Sequence, residues 1–252
     1  MRKAIFIFLW LLLIGGTAGV GWVFWSINEG RIGYMPDMEQ LSNPVDKFAS
    51  QIMTSDGKLM GTYSYGSNNR IFTEYDSIAP AMIQALIATE DERFHEHAGI
   101  DLKALFRAIV KRGLLGQKSA GGGSTITQQL AKQLYSERAS NTMERLFQKP
   151  IEWMIALKLE RFYTKEEIIT MYLNYFDFLH NAVGVKTASR TYFSKEPQDL
   201  SLEECATLVG MCKNPSYYNP VRMPDRTRDR RNVVLGQMVR SGYLTENEGD
   251  SV

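Results

Sequence analysis

The sequence predicts a mainly α-helical protein with one membrane-spanning helix at its start and a small β segment ahead of the other helices. Three observations predict this. First, an uncharged run from Ala4 to Trp25 follows Arg2 and Lys3, long enough to cross a hydrocarbon layer of about 30 Å as a helix. Second, residues 48–75 read as extended stretches, with Asp56-Gly57 as a hairpin turn between SQIMTS and KLMGTYSY and a further strand over Arg70–Tyr75. Third, apolar residues then recur at helical spacing almost to the chain's end.

The apolar run continues through Val20–Trp25, beyond the small-residue patch Gly15-Gly16-Thr17-Ala18-Gly19. A cleavable signal has a shorter apolar region of about 7–15 residues, so the run reads as a retained single-pass anchor. Trp22 and Trp25 suit an interface, and the early basic pair favours a cytoplasmic N-terminus with the rest of the chain outside. Residues 1–27 are therefore expected to be N-terminus and anchor. Residues 28–47, with Gly30, Gly33, Pro36 and Pro44, are expected to be a linker, and residues 48–252 a globular domain.

Within that domain the helix starts are marked by Ser77 with Pro80, Thr164 with Glu167, Ser201 with Glu204, and Thr245 with Glu248. The last of these lies so near the end that a further segment is expected in the natural protein. An apolar fraction of 44% indicates a folded chain, and a net charge of +1 gives no reason to expect nucleic acid. Cys205 and Cys212 fall on one helical stretch with Cα atoms about 10 Å apart, too far for a disulfide, and read as buried thiols.

Four segments could carry chemistry. In APAMIQALIATEDERFHEHAGID, the residues Ile83, Leu86, Ile87, Glu90 and Phe94 share one helical stripe, so Glu90 occupies a slot the pattern gives to an apolar residue. Desolvation there raises a carboxyl's pKa, which suits a general base. The alternative is a structural glutamate paired with Arg93. Asp91 and Asp101 add carboxylates to the same end. His95, His97 and Glu92 are poorly spaced for a metal site.

In GQKSAGGGSTITQQLAKQLY, Gly121–Gly123 lead to a helix start with Ser124 and Thr125, where free N–H groups favour phosphate. Gln128, Gln129 and Lys132 follow within two turns. The alternative is a flexible loop before an amphipathic helix. In MERLFQKPIEWMIALKLERFYTKEE, Pro150 predicts a kink or a helix start. A helix would gather Arg145, Gln148 and Glu152 opposite Leu146, Phe147, Pro150, Ile151 and Met154, with Lys149 at the flank. That face also fits plain solvation. The fourth, TKEEIITMYLNYFDF, is a capped amphipathic helix that runs through Asn174.

In this order, EDERFHEHAGID, GGGSTITQQLAKQ, QKPIE, KEEIITMYLN, GVKTASRTYFSK, LSLEECATLVGMCKNPSYYNP and RRNVVLGQM resemble glycosyltransferase family 51. This is the peptidoglycan glycosyltransferase domain of class A penicillin-binding proteins and of monofunctional strand polymerases. The resemblance implies a lysozyme-like, mainly α glycosyltransferase domain against the membrane. It implies inverting polymerisation of lipid II, with the growing glycan on undecaprenyl pyrophosphate as donor and β-1,4 strands as product. Glu90 would then take the proton of the acceptor hydroxyl. Glu152 would help position the pyrophosphate or a divalent cation, Mg²⁺ or Mn²⁺, and Gln129 and Lys132 would grip the diphosphate. Asp91, Ser124, Thr125, Gln128, Arg145, Lys149 and Asn174 complete the implied substrate contacts.

The resemblance also implies a bacterial inner membrane, a periplasmic catalytic side and cell-wall synthesis proteins as partners. The sequence departs from it at Gln148, where the family has arginine, and at Thr170, where it has glutamate; Arg145, one turn before Gln148, is the candidate replacement. Two other readings compete: a lysozyme-like wall-cleaving enzyme, and an inactive glycan-binding scaffold.

Overall fold

The computed structural model describes residues 2–42, 50–56, 59–63, 70–110, 123–135 and 142–250. Helix α1 spans Arg2–Asn28, and its side chains are exposed from Lys3 to Trp22. A stretch of 18 residues within Lys3–Asn28 has a mean hydropathy of 2.2, and the helix is long and apolar enough to cross a membrane.

The described part of the expected linker, residues 28–42, makes packed contacts at several points. Ser26 and Ile27, in the last turn of α1, are buried. Gly33, at φ +70°, brings the chain so close to Ile151 that a Cβ would stand 2.3 Å from its side chain. A short helix α2, Met38–Ser42, buries Leu41 in the main core. The hydroxyls of Tyr135 and Tyr163 donate to the carbonyls of Gln40 and Leu41 at 2.9 and 2.7 Å. Glycines and prolines gave this stretch a linker's composition, while Leu41 supplied the apolar anchor that docks it.

Strands β1 (Ser50–Met53) and β2 (Leu59–Tyr63) form an antiparallel pair with Ser50 opposite Tyr63 and Met53 opposite Leu59. Gly57 of the expected turn lies outside the described residues. The strand expected over Arg70–Tyr75 does not form. Thr73 sends its backbone N–H and C=O to the side chain of Asn174, both at 2.8 Å, so an amide replaces the strand partner. A single 3-10 turn, Tyr75–Ser77, follows.

The remaining helices are α3 (Pro80–Glu90), α4 (Leu102–Ile109), α5 (Ile126–Tyr135), α6 (Thr142–Phe162), α7 (Lys165–Tyr175), α8 (Val185–Phe193), α9 (Leu202–Cys212), α10 (Pro224–Arg240) and α11 (Glu246–Asp250). Thr164 and Ser201 close reciprocal capping boxes with Glu167 and Glu204, and Thr245 does the same with Glu248. Ser77 does not open α3. Pro80 sits at its first position behind Ala79, because the missing N–H of proline costs nothing there. Pro150 neither starts nor ends a helix but lies inside α6.

The fold is mainly α, as expected. Helix α3 is wedged against α9 and α10, while α5 packs on α6 and α7. Tyr172, Phe94, Met82, Leu86, Leu130, Ile155 and Ile168 are fully enclosed between them. Both cysteines are buried free thiols within this core. These contacts fix the end of α3, the start of α5 and one face of α10 around a common opening.

Candidate active site

Three charged residues stand at positions where their own helices otherwise bury apolar ones. Glu90 ends α3, one turn beyond the buried Leu86 and Ile87. Glu152 is 1% exposed and heads the buried stripe Ile155, Ala156 and Leu159 on α6. Arg230 is 8% exposed on α10, in a stripe with Thr227, Val234, Leu235 and Met238. Burial of a charge without partners is costly, and all three line the same cavity of about 940 Å³. Lys132, Lys149, Lys213 and Arg107 share its wall.

Glu90 accepts a hydrogen bond from Nε2 of Gln129 on α5 at 2.8 Å. A guanidinium nitrogen of Arg230 stands 3.7 Å from its other oxygen. The C-terminal end of a helix repels a carboxylate, and these two groups counter that field. Arg93 is not the partner of Glu90; it pairs with Asp101 at 2.5 and 2.6 Å. Asp101 also caps α4 by accepting the Ala104 N–H at 2.9 Å. Burial alone would raise its carboxyl pKa, but the Ala104 N–H and the Arg93 guanidinium outweigh that and hold it below the usual range.

The start of α5 is a helix N-terminus that protein groups already fill. Asp91, buried, accepts the Ile126 N–H at 3.0 Å and meets Nε2 of His97 at 2.9 Å. Thr125 donates to the Gly99 carbonyl at 2.7 Å and accepts the Gln128 N–H at 3.2 Å. Gln128 donates to that same carbonyl at 3.1 Å and faces the Ser124 hydroxyl at 3.3 Å. Gly99, at φ +87°, lies so close to Ala156 that a Cβ would meet its carbonyl at 2.9 Å. Thus Asp91, Thr125 and Gln128 line the cavity but spend their hydrogen bonds on holding α5 in place. Gly121 and Gly122 lie outside the described residues.

Of the other sequence candidates, Lys132 is exposed on the wall with no hydrogen-bond or ion-pair partner among the described residues. Lys149, half exposed, holds the buried carboxylate of Glu152 at 2.6 Å. The solvated face expected around Glu152 is therefore an inward one. Arg145 belongs to α6, but its side chain lies outside the described residues, and Gln148 does not line the cavity.

Asn174 is elsewhere. Both of its amide hydrogens are donated, to Thr73 and Thr170 carbonyls at 2.8 Å, and it is not part of the cavity wall. Thr170, the other departure, donates to the Glu166 carbonyl within α7. His97 is engaged by Asp91. Among the described residues no three His, Cys, Asp or Glu side chains gather where they could share a metal ion. Glu152 supplies one carboxylate already paired with Lys149, so the donor set does not fit a divalent cation held by protein alone.

Sequence reasoning did not single out Arg230 or Tyr172. The signal that marked Glu90, a charge inside a 3.6-residue apolar stripe, also marks Arg230.

Comparison with known proteins places this site in context. The transglycosylase family model matches residues 56–239, which includes every helix that walls the cavity. The chain is 38% identical to penicillin-binding protein 1A of Escherichia coli (strain K12) over 216 residues, 86% of this chain and 25% of that protein. It is 42% identical to penicillin-binding protein 2a of Streptococcus pneumoniae over 240 residues, 94% of this chain and 30% of that protein. A crystal structure of penicillin-binding protein 1A from Haemophilus influenzae aligns over 81% of this chain and 20% of its own, at 25% identity and a TM-score of 0.44. The chain thus spans between a quarter and a third of the two curated relatives named here. With its cavity-forming helices inside the matched region, the chain belongs to the transglycosylase family.

Proposed function

We propose that this domain polymerises lipid II into β-1,4-linked peptidoglycan strands by inverting transfer from an undecaprenyl-pyrophosphate-linked glycan. The observation that carries the reading is Glu90. It is a carboxylate held in the wall of a large cavity that also presents Lys132, Lys149 and Lys213.

Glu90 accepts the proton of the acceptor's sugar hydroxyl as that oxygen bonds to the anomeric carbon of the donor. The bond from this carbon to the pyrophosphate breaks on the opposite face, and its electron pair leaves with the diphosphate. The lysines supply the positive charge that this leaving group gains most from in the transition state. Glu152 holds Lys149 toward the cavity through their 2.6 Å ion pair. The Mg²⁺ or Mn²⁺ implied by the resemblance would take most of its ligands from diphosphate oxygens, and no step above depends on it.

Helix α1 keeps the domain at the bilayer that carries both substrates, with the domain on the periplasmic side. Purified protein is expected to convert lipid II into glycan resolvable by length on a gel. Glu90→Gln is expected to abolish this while leaving the fold intact. A wild type that makes no glycan, or a fully active Glu90→Gln variant, would overturn the reading.

A further inference from the structure

The hydrogen bonds behind Glu90 form a directed chain. An ionised carboxylate only accepts, so the Gln129 amide must turn an N–H toward it, as it does at 2.8 Å. That leaves the amide oxygen facing the other way, where the Tyr172 hydroxyl donates to it at 3.0 Å. Tyr172 is fully enclosed on α7, and burial pushes its phenol pKa well above the usual value, so the proton stays on the oxygen. The competing acceptor beside that hydroxyl is the Cys212 sulfur, a weak one, whose own S–H points to the Leu208 carbonyl.

We propose that Tyr172 is a positioning residue that acts through Gln129, fixing the amide so that its N–H, and not its oxygen, meets Glu90. On this view Gln129 belongs to the base and not to the diphosphate grip. The proposal rests on the reading of Glu90 as the base.

Removing the phenol hydroxyl releases the Gln129 amide to rotate. Its oxygen then faces Glu90 for part of the time, which repels the carboxylate and favours its protonated form. The charged or titratable groups facing Glu90 are Arg230 from α10, Tyr172 from α7 and Cys212 from α9; Lys132, Lys213, Lys149 and Glu152 stand further along the same cavity. Tyr172→Phe leaves all the others in place.

The test is lipid II polymerisation by the full chain across pH, for wild type, Tyr172→Phe and Gln129→Glu. Gln129→Glu keeps the shape and the acceptor for Tyr172 but takes the N–H from Glu90. Both variants are expected to lower kcat at least tenfold with the KM for lipid II within twofold of wild type. Both are also expected to move the acidic limb of kcat to higher pH, Gln129→Glu further than Tyr172→Phe. An unchanged kcat and pH profile would overturn the proposal, and so would a raised KM at constant kcat, the mark of a substrate ligand.

Should Tyr172→Phe fail to fold, Gln129→Glu on the cavity wall carries the test alone. If wild type makes no glycan, the functional reading fails separately. The positioning is then read from the ¹³C titration of the Glu90 carboxyl, expected at higher pH in both variants than in wild type and overturned by coincident curves.

Discussion

Arg230 of α10 sets a guanidinium nitrogen 3.7 Å from an oxygen of Glu90 at the end of α3, inside a wall where both side chains are largely hidden from solvent. Among the described residues its Nε has no hydrogen-bond partner. Gly210 makes room for its stem, since a Cβ there would stand 3.1 Å from Cγ of Arg230. A buried cation with an unmet donor is poorly explained as a stabilising feature.

Replacing Arg230 with methionine keeps much of its volume but leaves a largely buried Glu90 without its cation, so stability is expected to fall by about 1–3 kcal/mol, less than for a tightly bonded buried pair because the two groups stand 3.7 Å apart. The same change is expected to cut the polymerisation rate at least tenfold. Calorimetry and steady-state kinetics check the two halves. A large fall in Tm with normal kinetics would assign Arg230 to the core instead.

Asn174 should behave in the opposite way. Asn174→Ala removes the clamp on Thr73 and leaves buried backbone groups unpaired, at a cost of about 1–3 kcal/mol. Denaturant unfolding should show that loss, while the KM for lipid II stays within twofold of wild type.

Asp91 is expected to matter through α5. Asp91→Ala strips the acceptor from the Ile126 N–H and from His97, so the start of α5 should lose hydrogen-exchange protection before the rest of the domain, with a destabilisation of about 1–3 kcal/mol. Retained protection at Ile126 would contradict this.

Stability should fall at both pH extremes for identifiable reasons. The carboxyl pKa of Asp101 is lower in the folded protein than in the unfolded chain. Its contribution is full above about pH 4, the unfolded value, and is lost as pH falls through the folded one. Burial pushes the Cys205 thiol up to about 12 and Cys212 higher still. Above about pH 8.5 the unfolded chain ionises its thiols and the folded one does not, so stability drops with rising pH. Tm measured across pH should show a smaller alkaline loss in a Cys205→Ala, Cys212→Ala double variant, relative to its own value at pH 7. Native thiols should also resist alkylation at pH 8.

Much of the architecture was legible because helix signals are local. The capping boxes at Thr164, Ser201 and Thr245 each use residues three apart. Glu90 was legible for a related reason: its anomaly shows within one helix. What stayed hidden depended on partners far along the chain. The extended stretch at Thr73 looks like a strand until Asn174 takes its hydrogen bonds. Asp91 looks like a free carboxylate beside Glu90 until α5 arrives to be capped. The inward face of α6 was legible only through the family resemblance, because Pro150 and the charges near it mask the stripe of Glu152, Ile155, Ala156 and Leu159.

The buried last turn of α1 bears on how the domain stands at a surface. Ser26 and Ile27 are enclosed, α1 packs on α6, and the Arg31 guanidinium lies 4.5 Å above the Trp25 ring. The apolar helix is thus docked on the domain and not moored to it by a free linker. A slack tether would let the cavity take every angle above a lipid plane. On the proposed function, a helix of 27 residues rooted on α6, which carries Lys149 and Glu152, narrows the heights and angles at which the cavity meets bilayer-bound substrates.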